Sequence, residues 1–232
     1  MVRKLLFRNS PTDLVRCKSI TLYGDEISPP VRFVQMTADM LGIQYKFKKV
    51  DLFKQENKQD FFKKINPLQK VPALKVGDTV ITDSHAIAMF LCENSDGQTL
   101  YPDDPIIRPI VQQMMFFNSS TLFNIDSTIY SNFFAGSESI DVKLIRDWTL
   151  ALDYLEYQLR KHEWLAYDKM SLCDLCCAAT VSTLQLLIPP TEKHKKVNRW
   201  LKRLEEIPCH SINKIGLDRL QIFIDQIKDV AH

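Results

Sequence analysis

The sequence predicts a small α/β unit followed by a larger all-helical one, and three observations carry that reading. Strand-like and helix-like stretches alternate from residue 19 to residue 94. A connector rich in Gly, Asp and Pro, "NSDGQTLYPDDP" at 94–105, then interrupts the pattern. Beyond it no convincing strand recurs, and apolar residues return at the three-to-four spacing of helices.

The elements follow in order. "SITLY" (19–23) is short and β-prone. Val31, Val34, Ala38 and Leu41 then mark one face of a helix over 29–41, opened by Ser28-Pro29-Pro30. "YKFKKVDL" (45–52) alternates as a strand, with Tyr45 and Phe47 on one face. A Lys-rich stretch with Phe61, Phe62 and Ile65 reads as a helix or loose turn. "VPALKVGDTVITD" (71–83) gives two strands around a Gly77-Asp78 turn, and 83–94 a helix capped by Asp83 or Ser84. In the second half, Val142, Ile145, Trp148, Leu152, Leu155 and Leu159 share one helical face. Ser171-Leu-Cys-Asp174 has the form of a capping box, and a helix carrying Val197, Trp200, Leu201 and Leu204 stops at Pro208.

Composition removes several function classes. The 232 residues carry 30 basic and 28 acidic side chains, and no basic tail or aromatic-interleaved stripe suggests nucleic acid. "EKHKK" (192–196) reads as a solvated helix start. No apolar run is long enough to span a bilayer, and the basic start, broken by Arg8, Asn9 and Pro11, lacks the apolar stretch of a secretory signal. The six cysteines make no disulfide framework in a chain of this size. "CDLCC" (173–177) has no second cluster with which to hold a metal, so reduced core thiols and a cytoplasmic location are expected. Walker, G-x-G-x-x-G, H-E-x-x-H and G-x-S-x-G motifs are absent.

Together the first strand, the Ser-Pro-Pro helix start, "NPLQKVPAL" (66–74), "DSHAIAMFL" (83–91) and "SLCDL" (171–175) resemble the cytosolic glutathione transferases. The likeness is to the insect delta and epsilon classes, which use a serine rather than a tyrosine. It implies an N-terminal extension (1–18), a thioredoxin-like glutathione-binding domain (19–95), a linker (96–103) and an all-helical hydrophobic-substrate domain (104–232). It also implies a homodimer, glutathione as co-substrate and no metal. "LFK" (52–54), "TDSHAI" (82–87) and "LFNIDSTIYS" (122–131) further resemble the epsilon-type branch serving ecdysteroid production, in which an acidic pocket residue contacts steroidal ligands. Asp126 falls at that position.

Each candidate residue has a plain alternative. Ser28 is a helix N-cap, or the hydroxyl that stabilises a glutathione thiolate with help from nearby amides. Pro72 begins a strand, or forms the cis bond that turns the Val71 backbone toward glutathione. Asp83 and Ser84 cap a helix, or take the γ-glutamyl end, with His85 flanking it or lying half-exposed. Gln69 stands where relatives usually carry a histidine for the glycyl end, which puts glutathione affinity in doubt; Lys70 adds a charge there or is solvated. Asp126 lies on a polar face, or is an ionised carboxylate in an apolar pocket walled by Phe53, Phe123, Ser127, Tyr130 and Ser131. The late helix of the first domain, with Ala88, Met89 and Cys92, offers a dimer patch or serves the core between domains. The function implied is a transferase acting on a hydrophobic electrophile or steroid-like substrate, in ecdysteroid biosynthesis. The alternatives are a non-catalytic carrier or interaction protein, and a generalist detoxification transferase.

Overall fold

The computed structural model describes residues 20–96 and 98–230. The expected extension 1–18, Ser19 and Cys17 lie outside them. A four-stranded sheet holds the first half, in the order β2-β1-β3-β4: β1 (Ile20–Gly24), β2 (Lys46–Lys49), β3 (Ala73–Val76) and β4 (Thr79–Thr82). β2 runs parallel to β1, whereas β3 is antiparallel to both β1 and β4. The parallel pair needs a crossover, which α1 (Pro29–Met40) supplies. β3 and β4 are joined tightly through Gly77, whose φ of 60° suits a residue without a Cβ.

Alternation along the strands sorts side chains to two faces. Ile20, Leu22, Leu74 and Val76 pack with Val34 and Ala38 of α1 and with Ile87 and Leu91 of α3 (Ser84–Glu93). Tyr23 and Ala73 point the other way, to Val50 and to Phe62 of the single-turn α2 (Asp60–Lys63). A 3-10 turn (Glu56–Lys58) precedes α2, so the Lys-rich stretch resolves into two short pieces.

Every regular element described after the connector is a helix: α4 (Ile107–Phe117), α5 (Phe123–Phe134), α6 (Val142–Gln158), α7 (Leu172–Leu184), α8 (Lys195–Glu205) and α9 (His210–Val230). α4 and α5 are joined through one π-helical turn, Asn118–Leu122. The Ser171–Asp174 capping box forms as the sequence indicates, and the Asp174 carboxylate also accepts from Leu165 N at 2.9 Å and Trp200 Nε1 at 3.0 Å. It therefore ties three separate segments at the start of α7.

One large apolar cluster fills the helical half and extends into the first. Phe33 and Met36 of α1 and Ala88 and Cys92 of α3 belong to it, so both helices are apolar on two sides and lie between sheet and bundle. Ala88 and Cys92 are 0% and 1% exposed, which excludes them as a surface patch for a second subunit. Cys92, Cys173, Cys176, Cys177 and Cys209 are buried free thiols, and burial raises their pKa values.

Candidate active site

Strand register brings the sequence candidates to one edge of the sheet. Tyr23 pairs with Ala73, and Ala73 with Thr82. The chain leaving β1 toward Ser28, the chain entering β3 from Gln69, Lys70, Val71 and Pro72, and the chain leaving β4 at Asp83 thus share one end. β2 ends there too: Val50 N donates to Gly24 O at 2.8 Å, which brings Phe53 close.

Ser28 is half-buried at the N-cap of α1, yet its side chain makes no capping bond. The chain supplies few other donors here. Pro29 and Pro30 have no N–H, Val31 N and Arg32 N donate to Ser28 O, and Ser28 N donates to Asp25 O. The amides expected to assist a thiolate are thus consumed or missing, and the hydroxyl is the free group at this helix start.

The loop carrying Ser28 is held by the helical half through residues that sequence reasoning missed. Arg32, 0% exposed, spends all five of its N–H donors: on Glu26 O (2.9 Å), Ile27 O (2.8 Å), Asn213 Oδ1 (2.8 Å), Ala179 O (3.2 Å) and Thr183 Oγ1. Asp25 is fully buried, accepts from Leu52 N at 3.0 Å and pairs with Arg219 of α9, which also reaches Glu26. Gly216 lets α9 approach, because a Cβ there would meet Glu26 O and Arg32 Cδ inside contact distance. Phe223, one helical turn beyond Arg219, stacks on Phe53 at 3.6 Å between ring centroids. An arginine inside the apolar run of α1 was the one visible sign of this arrangement.

The Val71–Pro72 bond is cis, as expected for this position. Gln69 has φ 57° and its carbonyl accepts from Asn57 Nδ2 at 2.9 Å, while Lys70 O accepts from Asn66 Nδ2 at 2.6 Å. Two asparagines therefore fix this turn, leaving the Lys70 side chain exposed.

Asp83 has φ 81°, a strained value for a non-glycine residue, and its carboxylate caps α3 by accepting from His85 N (2.9 Å) and Ala86 N (3.0 Å). Ser84 is buried at 5% exposure, its Oγ 3.4 Å from His85 Nδ1. His85 is not half-exposed. Its ring leans on Phe33 at 5.5 Å, and Nε2 lies 3.4 Å from Asn118 Nδ2 in the helical half. Burial lowers its pKa against the opposing pull of Asp83, so the imidazole is neutral at physiological pH.

Asp126 is 2% exposed on α5, so it is no polar-face residue. Among the described residues its Oδ1 has no hydrogen-bond partner, and the nearby Arg32 spends its donors on other groups. Desolvation pushes the carboxyl up to about 8 against the attraction of Arg32, while desolvation pulls the guanidinium down to about 10. Burial thus favours the neutral carboxyl, whereas the sequence reading expected an ionised one. Tyr130 shares this buried side, donating to Thr183 O at 2.7 Å. Phe123 is half-buried, whereas Ser127 and Ser131 are exposed on the neighbouring side of α5.

Both halves match described families: "Glutathione S-transferase, N-terminal domain" over residues 22–99, and "Glutathione S-transferase, C-terminal domain" over 119–208. Glutathione S-transferase 1 of Manduca sexta is 32% identical over 196 residues, covering 82% of this chain and 90% of that protein. A glutathione transferase homologue from Drosophila mojavensis, solved with bound glutathione, superposes with a TM-score of 0.86 at 30% identity, covering 90% of this chain and 97% of that one. An epsilon-class glutathione S-transferase of the housefly, Musca domestica, gives 0.85 at 29%, covering 90% and 98%. Among the described residues no group of three or more His, Cys, Asp or Glu side chains is placed to hold a metal, and no helix is long and apolar enough to cross a membrane.

Proposed function

The chain belongs to the glutathione S-transferase family, related to the insect delta and epsilon classes, and we propose that Ser28 is the residue through which it activates glutathione. It is a transferase acting on a hydrophobic substrate. The observation that carries the Ser28 role is a hydroxyl at a helix start with neither capping bond nor rival donor. Glutathione supplies a thiol whose ionised form attacks carbon. Ser28 Oγ–H donates to that sulfur, and each unit of thiol pKa lowering requires about 1.4 kcal/mol, the scale of one charge-assisted bond.

The remaining donors fit the peptide. Val71 N–H and C=O, without backbone partners among the described residues, receive the cysteinyl backbone. Ser84 offers its hydroxyl and its own N–H to the γ-glutamyl carboxylate at the positive end of α3, and Asp83 faces the ammonium. Gln69 and Lys70 take the glycyl end. His85, turned toward Asn118, supports Ser84 rather than ligand. The acceptor lies against Phe53, Phe123, Ser127, Tyr130 and Ser131.

Ser28→Ala is expected to raise the pKa of bound thiol, read from the thiolate difference spectrum, and to cut turnover with chlorodinitrobenzene at neutral pH. Glutathione affinity should change little. Unaltered thiol pKa and turnover would remove Ser28 from the chemistry. Loss of both activity and retention on immobilised glutathione in the wild-type protein would favour a carrier or interaction protein instead.

A generalist, detoxifying range of electrophiles is the broad reading. A narrower one, a steroid-like acceptor in ecdysteroid biosynthesis as for Noppera-bo, which the chain resembles at 122–131, is favoured by the buried, unpartnered Asp126 Oδ1. A steroid hydroxyl or carbonyl would complete that carboxyl. With the carboxyl neutral, Asp126→Ala should then weaken estradiol binding about two- to tenfold while sparing turnover of chlorodinitrobenzene. Equal estradiol affinity in both proteins leaves the generalist. A homodimer completes the proposal, and a sedimentation mass of one chain at micromolar concentration would contradict it.

A further inference from the structure

Away from all these residues, where the end of α6 meets α8, buried Leu159 and Trp200 floor a cleft of about 260 Å³. Its walls carry five permanent cations, Arg160, Lys161, Lys196, Arg199 and Arg203. The whole chain is nearly balanced, with 30 basic against 28 acidic residues, so this is a local concentration of charge.

The acids in and around the cleft are already engaged. Glu163 lies 3.9 Å from Arg203, and Asp168 holds His162 at 3.0 Å. Asp153 sits between Lys193 (2.8 Å) and His194 (2.9 Å), and buried Glu156 accepts from Lys196 N and Val197 N at 2.9 and 3.0 Å. Arg160, Lys161, Lys196 and Arg199 thus have no carboxylate partner among the described residues. Lys161 rests only over the Tyr157 ring, at 4.6 Å. Lys196 also stands in the first turn of α8, where the helix macrodipole is already positive and basic side chains are disfavoured. Helix stability therefore does not account for Lys196.

We propose that this cleft binds a phosphate-ester dianion. Guanidinium groups from two elements, Arg160 beyond α6 and Arg199 on α8, offer forked donors that suit phosphate oxygens, with Lys161 and Lys196 as flanking point charges. The volume suits a phosphoryl head group rather than a peptide or nucleic-acid strand. A soluble phosphate ester and the head group of a phospholipid share this chemistry.

The test uses the full chain and the double variant Arg160→Gln/Arg199→Gln. Neither residue belongs to the glutathione site, so turnover of chlorodinitrobenzene should persist and report an intact fold. Calorimetric titration with inorganic pyrophosphate should show saturable binding by the wild type, weakened by salt, and at least about tenfold weaker binding by the variant. Sedimentation with phosphatidylcholine vesicles containing phosphatidic acid, dependent on the same arginines, would assign the site to a lipid head group. Pyrophosphate binding without sedimentation would assign it to a soluble ester. Absence of saturable pyrophosphate binding by the wild type, or equal affinity in an active variant, would overturn the proposal. If the double variant is inactive, the exposed Lys196→Gln takes its place under the same criteria.

Discussion

Asp126→Asn offers a direct measurement of the buried charge cluster. The native carboxyl is pushed up to about 8, whereas its ordinary value is 3.8. Between these values the folded protein keeps a proton that the unfolded chain has released. Its contribution to stability is thus fully present below the ordinary value and is lost as pH rises through the native one. The slope for one proton approaches about 1.4 kcal/mol per pH unit. Asparagine keeps the shape and one acceptor but cannot ionise, so it escapes this loss. From about pH 5 to about pH 7 the variant should gain up to about 3 kcal/mol relative to wild type. Urea unfolding of both proteins at matched concentration across that range gives the answer. Parallel profiles would refute the reasoning. A wild type that gains on the variant as pH rises would mean that Arg32 outweighs desolvation and holds Asp126 ionised.

Three more expectations concern the frame around the site. Asp174→Ala strands the buried donors Leu165 N, Ser171 N and Trp200 Nε1, so chemical denaturation should show a loss of about 3 kcal/mol or more. Gly216→Ala should destabilise by about 1–3 kcal/mol because the methyl meets Glu26 O and Arg32 Cδ; the gain usual for alanine within a helix would disprove that close approach. Ser28→Ala should alter stability by less than about 0.5 kcal/mol, since the hydroxyl caps nothing, whereas a working cap would cost about 1 kcal/mol in the same denaturation assay.

Much of the frame was legible because its causes are local. Period-two alternation marked β2, β-prone residues marked β1, the Gly77-Asp78 turn marked β3 and β4, and the three-to-four spacing marked α1, α6 and α8. Ser171 and Asp174 announced their capping box, since both partners lie within one turn. The candidates around Ser28, Val71 and Asp83 were likewise readable as turn and cap chemistry, sharpened by family likeness. α9 escaped notice although it closes the bundle. The fates of Arg32, Asp126 and His85 also depended on partners remote in the chain: Asn213 and Thr183 take the donors of Arg32, and Asn118 and Phe33 enclose His85. Periodicity can say that a side chain faces inward, but not which polar group waits there. Whether a carboxyl keeps its proton, or a serine hydroxyl stays free, depends on desolvation and on the count of donors already spent. Only the packing of the helices against the Ser28 loop sets those two quantities.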